Sequence, residues 1–303
     1  MKRKVIQLAH KTLVVSLPSK WVRKYEVKKG AELEVEERGQ QIIFATGTRS
    51  SSERASIDAS KISEEALRRW VLSSMHKTGY DEIEVTYSNP RIPAIVQDVV
   101  KDMLIGFAVV EQGKNRCVIR VVAEEQEKEF DSMLRRAFLV TKSMGESMHD
   151  YLMEGRAGEL KELLALEKTN NQLTNFCERI LNKKGYPDDR KRCFAYVVAW
   201  NLEKVCDHYK DICSYLAENR KAKVGKDVIS MVKRANDFFG SYYELFYRFE
   251  IGKLSELGKE KREFSKKIEG MLGSSSTAET IVLCPIGLTF PNTFSIFPDS
   301  SII

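Results

Sequence analysis

The chain has 303 residues, 43% of them hydrophobic and 30% charged, with a formal net charge of +6. That length exceeds one typical domain and the apolar content suffices for packed cores, so two or three domains are expected. No run of about eighteen uninterrupted apolar residues occurs, which excludes a helical membrane span. The start Met1-Lys-Arg-Lys4 leads straight into alternating residues without a signal-peptide core, so a cytoplasmic location is expected.

The charge is unevenly spread. Lys2, Arg3, Lys4, Lys11, Lys20, Arg23, Lys24, Lys28 and Lys29 fall in the first thirty residues against the single acid Glu26. The rest of the chain is therefore close to neutral. A basic head on a balanced body is what a polyanion-binding module attached to something else looks like. From Lys4 to Thr46 the period is two, with Leu13, Val15 and Leu17 on one face of a strand. Pro18 suits the first turn of a short helix over Ser19–Tyr25. Lys29-Gly30 turns, Glu32–Glu36 alternates as a strand, Arg38-Gly39-Gln40 turns again, and Gln41–Phe44 returns. The acids Glu32, Glu34, Glu36 and Glu37 sit in the second half of this module and the positives in the first. Thr46–Ser52 reads as a linker.

Residues 53–123 alternate strand and helix. Strands are expected at Ala55–Ala59, Glu82–Tyr87, Phe107–Glu111 and Arg116–Ala123. Helices are expected from Ser63 to Lys77, ended by Gly79, and over Ala94–Leu104 behind Pro93. This is a small α/β unit. From Glu124 the period becomes 3.6, with helices at about 125–154, 157–184, 190–219, 225–252 and 256–272, broken at Gly155, Gly185-Tyr-Pro187 and Gly225. Long helices with short connections make an antiparallel bundle. The division is thus 1–46, 53–123 and 124–273, followed by a tail over 274–303. In the tail only Glu279 and Asp299 are charged, and Pro285, Pro291 and Pro298 forbid a helix. It is expected to be a disordered or accessory end. The fold class is multidomain α+β.

Six cysteines without a C-x-x-C pair read as reduced thiols, mostly in the core. Phosphate-loop, dinucleotide and nucleophile-elbow motifs are missing and the four histidines are scattered, so no enzymatic role is expected. Acids at Glu64/Glu65 and Glu124, Glu125, Glu127 and Glu129 read as helix starts and solvated charge. The aromatic run Phe238–Phe249 reads as bundle core or dimer seam. One helix stands out. Glu203, Asp207 and Asp211 are spaced four and four, which puts them on one stripe about 6 Å apart per step. Leu202, Val205, Cys206, Tyr209, Ile212 and Cys213 form the adjoining apolar face, with His208 beside Asp207. Three carboxylates so spread cannot grip one ion without ligands from a facing helix.

Lys4–Phe44 resembles the SpoVT/AbrB-type swapped-hairpin DNA-binding module, through Val15-Ser-Leu-Pro18, the short helix with Trp21 and Arg23, Val27-Lys-Lys-Gly30 and Glu32-Leu-Glu-Val-Glu36. The resemblance implies a homodimer of interlaced hairpins, with Lys2, Arg3, Lys4, Lys11, Lys20, Arg23 and Lys24 laid against DNA. About forty residues with one β layer cannot bury a core alone, which agrees with an obligate dimer. Leu202–Ile212 is similar to the signature helix of the PhoU phosphate-uptake regulators. The helix before it, Glu167–Leu173 and Phe176–Leu181, matches in character. That likeness implies metal ions, an iron or zinc cluster or another divalent cation, held by Glu203, Asp207, Asp211, Glu167 and Asn171. Asn171 stands where the family has Asp. The family builds two three-helix bundles with two acidic signatures, and only one is clear here.

Head, α/β unit and bundle in this order look like archaeal phosphate-uptake regulators over about residues 1–272. The resemblance implies a transcriptional regulator of phosphate uptake, with a phosphate-transporter ATPase or a signalling kinase as partner. The alternative it leaves is an adaptor acting through protein contacts, its head serving only to dimerise.

Overall fold

The computed structural model describes residues 2–8, 11–38, 41–46, 53–123 and 129–295. Gly39-Gln40, the linker after Thr46, Glu124, Glu125, Glu127, Pro298 and Asp299 lie outside them. Two compact units divide the chain, 1–53 and 54–303.

In the first unit β1 (Val5–Leu8) pairs antiparallel with β2 (Thr12–Val15). Helix α1 (Ser19–Lys24) follows, with Pro18 at its N-cap. The chain turns at Gly30, whose φ of +86° suits a residue without Cβ. Strands β3 (Leu33–Arg38) and β4 (Gln41–Thr46) close a hairpin. The two strand pairs form separate two-stranded sheets.

The second unit begins with a four-stranded sheet. Strand β5 (Arg54–Asp58) runs to a helical stretch of α2 (Glu64–Ala66), a π turn over Leu67–Val71 and α3 (Leu72–Thr78). Ser63 Oγ caps it by accepting from Ala66 N, and Gly79, at φ +113°, ends it. Then come β6 (Glu82–Thr86), α4 (Ile92–Met103), β7 (Phe107–Gln112) and β8 (Arg116–Val121), in the sheet order β5-β6-β8-β7. Ile83, Val85, Cys117 and Ile119 pack with Leu67, Leu72, Ile95, Val96 and Val99 to form the core of this layer. On the other sheet face, Glu82 pairs with Arg120 at 2.7 Å and Glu84 with Arg116 at 3.0 Å.

Six longer helices follow: α5 (Phe130–Met153), α6 (Leu164–Lys183) behind a 3-10 stretch at Ala157–Leu163, α7 (Arg192–Glu218), α8 (Lys226–Tyr247), α9 (Ile251–Leu272) and α10 (Thr277–Phe294). One apolar cluster runs through all six, with Phe138, Cys206, Tyr209, Phe238, Phe264 and Phe290 at or near zero exposure. The aromatic run belongs largely to this core, since Phe238, Phe239 and Tyr242 are buried. Gly145 on α5 is a point of close approach. A Cβ there would lie 2.9 Å from Tyr209 Cε2 on α7, and Asn236 Nδ2 on α8 donates to Gly145 O at 2.6 Å.

The tail expectation needs correction. Residues 277–294 form a helix in spite of Pro285 and Pro291 within it. A proline inside a helix costs about 3 kcal/mol. Against that, Val282, Leu283, Ile286 and Phe290 are completely buried, and each contributes about 1.5–3 kcal/mol. Phe290 also stacks between Phe264 at 3.6 Å and Phe238 at 4.0 Å. Ser276 and Glu279 form a capping box that starts the helix. Burial outweighs propensity, and the low charge of the segment is the mark of a helix buried on several sides.

Helix α6 faces two ways. One side packs in the bundle. The other supplies donors to carbonyls in the last turns of α3 and α4, which a helix leaves without intrahelical partners. Arg179, fully buried, donates to His76 O at 2.9 Å, Tyr80 O at 2.8 Å and Asp81 Oδ1 at 2.8 Å. Asn182 reaches Lys77 O, Gln172 reaches Lys101 O and Asn175 reaches Met103 O. Sheet layer and bundle are thereby one packed body.

Candidate functional site

The seven basic side chains expected at the nucleic-acid interface, Lys2, Arg3, Lys4, Lys11, Lys20, Arg23 and Lys24, are all exposed. Lys20, Arg23 and Lys24 share α1. Its half-buried Trp21 meets Tyr25 at a ring distance of 5.5 Å, and Lys24 Nζ lies 5.1 Å from the Tyr25 ring. Helix α1 is fixed at its start by Val22 N donating to Pro18 O at 2.9 Å. The described residues of the head include none that is fully buried, while Val5, Ile6, Leu8, Leu13, Val15, Val35 and Ile42 are exposed. Such a module presents cations and apolar strand faces at once.

The carboxylate stripe lies in the seam between α6 and α7. The structure brings Glu167, Asn171 and Asp207 together, with Lys210 among them. Lys210 Nζ is 2.7 Å from Asp207, 3.6 Å from Glu167 and 3.8 Å from Asp211. Lys204 Nζ is 3.2 Å from Asp207 and 3.7 Å from Glu203. Asn171 donates its amide to Glu167 at 2.9 Å. Burial opposes the charge of Asp207, but Lys210 and Lys204 hold its carboxyl below the ordinary range. Burial likewise opposes the charge of Lys210, and the acids around it raise its pKa nonetheless. Burial raises Glu167, with Lys210 acting against the rise. Two ammonium groups thus compensate part of the charge of the four carboxylates, and both approach Asp207 most closely. Among the described residues no three His, Cys, Asp or Glu side chains converge as a metal-ligand set. As arranged, the five residues fit a half-buried salt network and do not fit a metal ion.

Glu178, not singled out in the sequence, stands near Glu203 of the stripe. Glu178 on α6 is completely buried. Its Oε2 accepts from Lys77 of α3 and from Tyr196 OH of α7, both at 3.2 Å. Its Oε1 and Glu203 Oε2 have no hydrogen-bond partner. Burial pushes Glu178 up; Lys77 works against that and the nearby Glu203 adds to it. The signal existed in Phe176-Cys-Glu-Arg-Ile-Leu181, where two charges interrupt an apolar run at positions that face packing on both sides. Lys77 and Lys204 also flank the Trp200 ring, at 5.4 and 4.9 Å from its centroid.

Cys117, Cys177, Cys206 and Cys213 are buried thiols, as expected of core cysteines; Cys193 and Cys284 are exposed.

No family model, curated protein or solved structure gives a match to this chain. The fold and the side-chain geometry therefore carry the functional argument, beside the motif resemblances of head and bundle. Among the described residues no helix is long and apolar enough to cross a membrane.

Proposed function

We propose that this protein is a DNA-binding regulator of phosphate uptake that works as a homodimer. The observation that carries the DNA-binding part is the head's seven exposed basic residues beside exposed apolar strands. Cations so placed neutralise backbone phosphates and supply affinity without sequence reading. The phosphate assignment rests on the likeness of Leu202–Ile212 to the PhoU signature and on the order of head, α/β unit and bundle. The salt network at Asp207 and Lys210 favours partner contact over metal as the signal that the bundle reads.

The test is salt-dependent DNA binding with Lys20, Arg23 and Lys24 changed to alanine. Removing three phosphate contacts should reduce the slope of log affinity against log salt by about 2.7. An unchanged affinity and slope would sink the interface. Footprinting upstream of phosphate-transporter genes, with and without phosphate, tests the physiological assignment. Protection that ignores phosphate, or falls at unrelated promoters only, would remove it.

A further inference from the structure

The turn that joins α7 to α8 borders an open cleft of about 840 Å³, within the size range of small-molecule sites. Its lining comes from two elements. Tyr215, Arg220, Lys221 and Lys223 stand on one side, and Ser276 and Thr277, at the start of α10, on the other. Backbone bonds fix the turn: Asn219 N donates to Tyr215 O at 2.9 Å and Ala222 N to Asn219 O at 2.7 Å.

Cations elsewhere on the bundle are matched by acids, as Lys233 is by Asp237 and Lys253 by Glu244. Arg220, Lys221 and Lys223 are exposed and have no such partner among the described residues. Two acids stand at the same place. Glu218 lines the cleft. Glu279 closes the cap of α10, accepting from Ser276 N at 2.9 Å and from Gly225 N at 3.1 Å. Three cations against two acids leave the lining positive, and one of those acids is already held by backbone donors. Lys226 and Asp227, next in the chain, cancel.

A guanidinium and two ammonium groups suit a phosphate, which accepts several charge-assisted hydrogen bonds at once. The first N–H groups of a helix lack intrahelical partners and favour the same ligand; here Thr277 and Ala278 carry them at the cleft wall. The rest of the lining is apolar, with the half-buried Tyr215 beside the small Ala222 and Ala278. Bare inorganic phosphate leaves those side chains unused. A ligand that joins a flat ring to a phosphate meets both parts.

We infer that this cleft binds a small phosphate ester carrying an aromatic ring, of which a nucleoside monophosphate is the simplest form. Its phosphate would meet Arg220, Lys221, Lys223 and the start of α10, and its ring would lie against Tyr215, Ala222 and Ala278. The site goes beyond the DNA-binding reading, and neither depends on the other.

Isothermal titration calorimetry of the full chain with AMP, adenosine and inorganic phosphate tests it. AMP should bind saturably. Adenosine and inorganic phosphate, each with one half of the recognised chemistry, should bind at least about tenfold more weakly. Changing Arg220, Lys221 and Lys223 to alanine should weaken AMP by at least about tenfold. Thr277→Trp keeps every charge but fills the cleft, and should also weaken it. Lys20/Arg23/Lys24→Ala removes as much charge from the head and should bind AMP as the wild type does, whatever happens to its DNA affinity. All the substituted residues are exposed, so the variants should keep the wild-type unfolding midpoint. Absence of saturable AMP binding, wild-type affinity in either cleft variant, or inorganic phosphate bound as tightly as AMP would overturn the proposal. So would loss of AMP binding in the head variant, which would place the anion on the head.

Discussion

His76 is completely buried, and the nearby Ile105 backbone, which favours the protonated ring, is outweighed by that burial. Its ring meets Phe107 edge-on at 4.9 Å. Burial first, and then the charge of Arg179, pushes its pKa down to about 3. The unfolded chain takes up a proton there below about 6.5. Between these values the unfolded state binds more protons than the native one, so stability falls as pH falls through that window. At pH 5, roughly 1.5 units below the unfolded value, the loss is about 2 kcal/mol. His76→Leu should remove that part of the decline, read as the difference in urea-unfolding stability between pH 7.5 and pH 5. Glu167 and Glu178, both raised by burial, act with the opposite sign. They are present in wild type and variant alike, so the comparison isolates the histidine. An identical pH decline in both proteins would refute the buried neutral imidazole.

Helix α10 is the element where propensity and packing disagree most. Phe290 has zero exposure and stacks on rings from α8 and α9. Phe290→Ala should cost about 3–5 kcal/mol, measured by chemical unfolding of the body. A change under about 1 kcal/mol would mean that the helix is not docked there. Much of the remaining architecture was legible in the sequence, because period-two and period-3.6 patterns report burial on one face. The strand-helix alternation of 53–123 follows from that rule, while the breaks at Gly155, Gly185 and Gly225 and the short helix after Pro18 follow from helix stop and start residues. Helix α10 did not, because a segment buried on several sides has no polar face to give a period, and prolines mask what remains. The carboxylate stripe was legible as a stripe. Its meaning was not, since the contacts of Lys210 with Glu167 depend on how α6 lies against α7. Nor does a single sequence show that Arg179 and Glu178, two charges in an apolar run, are met by carbonyls and a lysine from about a hundred residues away.

At the scale of the whole molecule the chain holds one body with a buried core and one head without a fully buried residue among those described. Leu13 is 69% exposed and Ile42 61%. Apolar strand faces left in water are costly, at about 25 cal/mol per Å², and in a module this small association is a way to cover them. Dimerisation through the head would cover those faces and place two basic surfaces on one DNA molecule. Joining two weak contacts raises overall affinity by about 100-fold or more. Leu13→Asp with Ile42→Asp keeps every basic residue yet opposes strand-face association. If the head pairs and binds DNA as proposed, the change should give a monomer in sedimentation and weaken DNA binding by about 100-fold, while the unfolding of residues 54–303 stays as in the wild type. A variant that remains dimeric and binds DNA as before would place the dimer contact in the body and leave the head's apolar strands without a role. A variant that becomes monomeric but keeps its DNA affinity would separate the two properties, and the paired-surface account of the head would fail.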